Sequence, residues 1–210
     1  MKASMTSCFL LLASLTLTAP IHAQNLLANP EFDDGQGLGS WFTTATGTWT
    51  LDADAGSCTQ SNSALGTSAE SGGGSQFLNM YSLDCIAVDP LATPTLYLGA
   101  TYKTTAQVFA RVTLQFFSQA DCNGSVTFSS PVVGLTSPNW FTLLEGRPVP
   151  DTAASARVRV DFNPQAPGVP QYTAAIDRIY VGAGALIYAD PFEADGGSAC
   201  RWSASPGLVP

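Results

Sequence analysis

The residue types able to do chemistry in this 210-residue chain are acids, arginines and aromatic rings; imidazole is nearly absent. The sole histidine, His22, sits at the end of an N-terminal leader. Its loss with that leader removes Ser-His-Asp and Cys-His catalysis and His-ligated zinc from the mature chain. Acids occur as local pairs: Asp33-Asp34, Asp52 with Asp54, and Glu193 with Asp195. Paired acids beside a turn can hold a hard cation through oxygen ligands. As a glycosidase pair they would have to flank a cleft about 5–10 Å wide, and neighbours within one turn do not. The expectation is therefore no catalytic residue, with a carboxylate hydrolase as the third reading.

A second group consists of polar and aromatic side chains at alternate positions: Asn79 and Tyr81, Tyr97 and Lys103, Arg111, Gln115 and Phe117, Arg157 and Arg159. A ring that stacks on the apolar face of a sugar, beside planar donors and acceptors that read its hydroxyls, is the combination a glycan needs. Asn79, Tyr81, Tyr97, Arg111, Gln115 and Arg159 are the expected carbohydrate-binding residues. The grouping requires that these strands share one sheet and that no bulge shifts their parity.

The elements that position these groups read as strands. QFLNMY at 76–81 sets Leu78 and Met80 against Phe77, Asn79 and Tyr81. TLYLGATYKTT at 95–105 places Leu96, Leu98, Ala100 and Tyr102 on one side. RVTLQFF at 111–117, WFTLL at 140–144, ARVRVDF at 156–162 and AAIDRIYV at 174–181 follow, with short strands at 48–51 and 126–128. Period-two alternation marks half-buried strands. Residues 52–75, rich in Ser, Gly and Asp, read as a loop. Trp41, Trp49 and Trp140 are expected as core plugs. Without a convincing amphipathic helix the chain is all-β, an antiparallel β-sandwich.

Lys2 followed by the apolar run CFLLLASLTL at 8–17 and Ile21-His22-Ala23 reads as a secretory signal peptide over 1–23. The sandwich then spans 24–183 and a short tail 184–210. Basic residues number 8 against 16 acidic, and removing Lys2 makes the balance one unit more negative. Such a surface repels phosphate backbones, so nucleic acid is not an expected partner, and no membrane insertion is expected. Few charges among many Thr, Ser, Gly and Asn suit a neutral ligand. Cys58, Cys85, Cys122 and Cys200 remain after the leader, an even count that reads as disulfides in an exported chain. Four cysteines allow three connectivities. Cys85 with Cys122, which flank a hairpin, is favoured, leaving Cys58 with Cys200.

The opening NLLANPEFDDGQGLGSW at 25–41, with its Asn, its Phe beside acids and its closing Trp, resembles the start of the family 4/9 carbohydrate-binding modules. Trp140 leading a strand, Pro148-Val149-Pro150 before ARVRVDF, and a last strand carrying Ile176-Asp177-Arg178-Ile179 follow in the order of those modules. Arg178 stands where they carry Asp or Asn. The resemblance implies a jelly-roll, galactose-binding-like sandwich and a structural calcium between the N-terminal turn and the last strand. It points to Asp33 and Asp177 as metal ligands, with Glu31 as a helper. IYADPFEADGGSACRWS at 187–203 resembles the short DGFE…WS tails of exported bacterial proteins, with Pro191 in place of a Gly. Together these readings give a secreted, extracellular, monomeric, non-catalytic carbohydrate-binding protein of bacterial type, whose partner is a polysaccharide or surface glycan. The alternative is a structural or adhesive sandwich that binds protein.

Overall fold

The computed structural model describes residues 25–30, 32, 37–44, 47–55, 62–69, 76–105, 107–166 and 168–184. In chain order the strands are β1 (Trp41–Thr43), β2 (Gly47–Ala53), β3 (Asn62–Ser68), β4 (Leu78–Ser82), β5 (Ile86–Ala87), β6 (Thr95–Thr104), β7 (Val108–Phe117), β8 (Val126–Gly134), β9 (Phe141–Pro148), β10 (Ser155–Pro164) and β11 (Thr173–Gly182). They form two antiparallel sheets. Sheet A runs β1-β4-β10-β7-β8 with β5 also on β10, and sheet B runs β2-β3-β11-β6-β9. The protein is an antiparallel β-sandwich, as its alternation predicts, of the jelly-roll type that the resemblance implies.

The alternating apolar positions meet between the sheets. Leu78, Met80, Val112, Leu114, Val158, Val160 and Phe162 come from sheet A; Leu96, Leu98, Ala100, Ala174 and Ile176 come from sheet B. Each Val, Leu, Ile, Met or Phe among them, buried fully, contributes about 1.5–3 kcal/mol. Tyr172 ties the layers together: its hydroxyl lies 2.5 Å from the Gln76 carbonyl before β4 and 2.9 Å from the Phe162 carbonyl of β10. Burial pushes that phenol up to about 12.

Several strand assignments differ from the sequence reading: β1 and β5 have no counterpart in it, and β3 and β8 depart from it most. Residues 62–68, placed in a long loop, form β3 at the heart of sheet B, between β2 and β11. At Gly66 the two sheets close in: a Cβ there would come 2.8 Å from Leu78 and 3.2 Å from the Trp49 indole. β8 extends to Gly134, well beyond Phe128, and carries Pro131. It is the edge strand of sheet A, where a proline with no N–H to donate is tolerated.

The tryptophans divide. Trp41 is buried against Phe32, ring centroids 5.7 Å apart, and Trp49 packs half-buried on Phe162 at 6.3 Å. Trp140 is not a core plug: it precedes β9 half-exposed, with the Lys103 ammonium 4.6 Å above its ring. The N-terminal segment docks along β11, where Leu26 N–H donates to the Val181 carbonyl at 2.7 Å and Ile179 N–H to the Pro30 carbonyl at 3.0 Å.

The expected Cys85–Cys122 disulfide is formed, with Cα atoms 5.6 Å apart. It fastens the short 3₁₀ turn Ala120–Cys122 beside β5. Cys58 and Cys200 lie outside the described residues, as do the leader and the tail beyond Gly184. Among the described residues no helix is long and apolar enough to cross a membrane.

Candidate functional site

Register fixes which expected site residues meet. In sheet A, Tyr81 of β4 lies opposite Arg159 of β10 on one side and Phe42 of β1 on the other. Asn79 opposes Asp161, which opposes Arg111 of β7; Arg157 opposes Gln115. All of these project from the sheet on the side away from the core, because their neighbours Leu78, Met80, Val112, Leu114, Val158 and Val160 fill the interior. Five of the six expected binding residues (Asn79, Tyr81, Arg111, Gln115 and Arg159) therefore share one face.

Tyr97 does not join them. It lies on β6, which pairs with β11 and β9 in sheet B, and its ring covers Gly146 of the neighbouring strand. Lys103, on the same strand, pairs with Asp52 of sheet B at 3.7 Å. Alternation within a strand tells which residues share a side of that strand, but not to which sheet the strand belongs. The chain crosses between sheets after β5, and Tyr97 and Lys103 go with it.

Sheet A's outer face is a network. Asp161, fully buried, accepts from Arg159 at 2.5–2.6 Å and from Arg111 at 3.2 Å. Arg157 lies over the rings of Tyr81 and Phe117, at 5.1 and 5.4 Å, and donates to Gln115 Oε1 at 3.3 Å. Arg159 stands 5.4 Å from the same Tyr81 ring. The Asn79 side-chain oxygen accepts from the Thr44 hydroxyl. Beside this network Phe42, Tyr81, Ser82, Leu83, Gln115 and Arg157 line an open depression of about 400 Å³. Phe42 is 57% exposed, and its ring centroid is 6.5 Å from that of Tyr81. The sequence reading missed Phe42. Its signal was the buried Trp41 beside it, since the neighbour of an inward residue in a strand points outward.

A second polar cluster lies on sheet B. Asp177 of β11 is fully buried, accepting from Ala55 N–H at 2.9 Å and from its neighbour Arg178 N–H at 2.7 Å. Burial pushes its carboxyl up to about 8; a hydrogen bond and the negative charge of the buried Asp54 add to the rise, against lowering by Ala55 N–H and Arg178. The Arg178 guanidinium is 3.6 Å from Asp54. Arg178 sits at φ +51°, where β11 bulges between Asp177 and Tyr180, a conformation Asn and Asp adopt more readily. Of the expected metal ligands, Asp177 is thus beside Asp54, while Asp33 and Glu31 lie outside the described residues. Two adjacent buried carboxyls supply oxygen donors of the kind a hard cation takes. Asp54 was noted only as half of a local acid pair with Asp52, and nothing in the sequence links it to Asp177.

No family model matches the chain, and no curated protein matches it. Solved structures do. A family 61 carbohydrate-binding module in complex with β-1,4-galactotriose superposes with a TM-score of 0.51 at 13% identity, over 76% of this chain and 98% of that one. A family 16 carbohydrate-binding module gives 0.50 at 17% identity, over 75% and 99%. The enzymatically active domain of bacteriophage CBA120 tailspike protein 4 gives 0.56 at 18% identity; the match covers 75% of this chain and only 21% of that one. The chain therefore has the β-sandwich fold found in carbohydrate-binding modules.

Proposed function

We propose that this is a secreted, non-catalytic carbohydrate-binding protein whose ligand face is the outside of sheet A. The observation that carries the reading is the depression where the exposed ring of Phe42 and the ring of Tyr81 adjoin Gln115 and Arg157. Rings of this kind take the C–H face of a pyranose, and an amide and a guanidinium at their edge orient its hydroxyls. The similarity in fold to modules that carry the carbohydrate-binding name supports the reading. The only acid among the outward positions of these strands, Asp161, is buried beneath two arginines, which supports a binding role over acid–base hydrolysis.

Asp33 and Asp177 would hold a structural calcium that fixes the N-terminal segment against β11, with the buried Asp54 beside Asp177 as a further oxygen donor. Residues 1–23 serve as an export signal and 184–210 as an appended tail; the Cys85–Cys122 bridge accords with an oxidising location. The test is retention on a panel of insoluble and gel-embedded polysaccharides. The protein should bind at least one saturably, with a Kd of about 10 µM to 1 mM. A folded protein that binds none would leave the adhesive, protein-binding reading in its place.

A further inference from the structure

Resting on the carbohydrate-binding reading, we propose that the polysaccharide is acidic, built from uronic-acid residues whose carboxylates are taken by the arginines of sheet A. The charge on this face runs against that of the whole chain, which has 8 basic residues to 16 acidic and by composition suits a neutral ligand. Arg111, Arg157 and Arg159 stand on adjacent strands, with Asp161 as their one outward acid. That single carboxylate serves both Arg111 and Arg159, whose side chains remain 36% and 30% exposed. Arg157 has no ion-pair partner among the described residues; one of its terminal nitrogens donates to the neutral Gln115 amide at 3.3 Å, and its charge is not matched by an acid there. The face thus carries more positive charge than it neutralises. In about 0.15 M salt charges are screened beyond about 8 Å, so a ligand lying here responds to these arginines and not to acids across the molecule.

The geometry favours a carboxylate attached directly to the sugar ring. Arg157 lies 5.1 Å from the Tyr81 ring and lines the same depression as Phe42 and Leu83. A pyranose stacked on these apolar groups brings a carboxylate on its own ring carbon to the guanidinium, whose planar fork matches it. A sulfate ester reaches one atom further and is not planar.

The test measures binding of the full protein to polygalacturonate and to alginate by affinity electrophoresis, each beside the same polymer with its carboxylates methyl-esterified. The acid forms should bind at least about tenfold more tightly, and the advantage should shrink as NaCl rises from about 0.05 to about 0.5 M. Arg157→Gln should weaken binding about tenfold, and Arg111→Gln severalfold, with thermal unfolding confirming that each variant is folded. Lys103→Gln removes the same charge from sheet B and should change binding less than about twofold. Equal binding of acid and ester overturns the acidic ligand and leaves the sugar-binding face standing. So does retention of neutral polymers alone. Stronger binding to dextran sulfate than to either uronate, or equal losses in Lys103→Gln and Arg157→Gln, also overturns it. Failure to bind any polysaccharide removes both readings.

Discussion

Asp161 points away from the core and is still fully buried, because Arg111 of the neighbouring β7 and Arg159 of its own strand close over it. It holds both guanidiniums in place, that of Arg159 beside the Tyr81 ring. Asp161→Asn should lower stability by about 2–3 kcal/mol, since two charged hydrogen-bond donors lose their acceptor charge. Urea unfolding would check this; a change below about 0.5 kcal/mol would mean the arginines find equivalent partners in water. The outward side of each strand was legible at this scale because Leu78, Met80, Val158 and Val160 alternate cleanly with their polar neighbours. The burial of Asp161 was not, since it depends on what two long side chains from other residues do above the sheet. Tyr97 and Phe42 mark the same boundary. Both are aromatic and outward, and only tertiary pairing assigns one to sheet B and the other beside Tyr81.

Strands with strong alternation, β6, β7, β10 and β11, were legible nearly to their ends, whereas β3 was hidden by its composition. NSALGTS looks like a linker, yet its Gly66 is what leaves room for Leu78 and Trp49 to close on the strand. Gly134 shows the same dependence: a Cβ there would collide with the Tyr102 phenol, so Gly134→Ala should cost about 1–3 kcal/mol in thermal or urea unfolding. The Cys85–Cys122 bridge spans a sequence separation of 37. Replacing both cysteines by serine should lower stability by about 3–4 kcal/mol, measured by the same unfolding under non-reducing conditions.

The join between β11 and the segment after β2 carries a pH signature. Asp177 titrates at about 8 when folded, against 3.8 for an ordinary aspartate. The folded state thus keeps a proton that the unfolded chain releases in that interval, and stability from this source is complete below the lower value and lost as pH rises to the upper one. In metal-free buffer Tm should fall between about pH 5 and pH 8.5, and Asp177→Asn should flatten the fall. Calcium at about 1 mM should restore Tm most at the alkaline end, where the Asp177 carboxyl is ionised. A Tm that ignores calcium at alkaline pH would contradict the metal proposal without touching the pH argument.

For the molecule as a whole, two sheets divide the labour. Sheet B receives the N-terminal segment and the buried Asp54–Asp177 pair, and sheet A turns outward its arginines, Tyr81 and Phe42. The net charge was readable without coordinates, but the clustering of three of the eight basic residues on one face was not. Composition averages over the surface, while a ligand meets one patch of it. The central claim is that this patch binds the polysaccharide. Its most direct test is chemical-shift mapping of the ¹⁵N-labelled protein, including the arginine side-chain Nε–H signals, titrated with an oligosaccharide of whichever polymer the panel retains. The account predicts that the largest shifts fall on Phe42, Tyr81, Arg111, Gln115, Arg157 and Arg159, with Tyr97 and Lys103 unmoved. Shifts concentrated on β6 and β9, with sheet A silent, would contradict it.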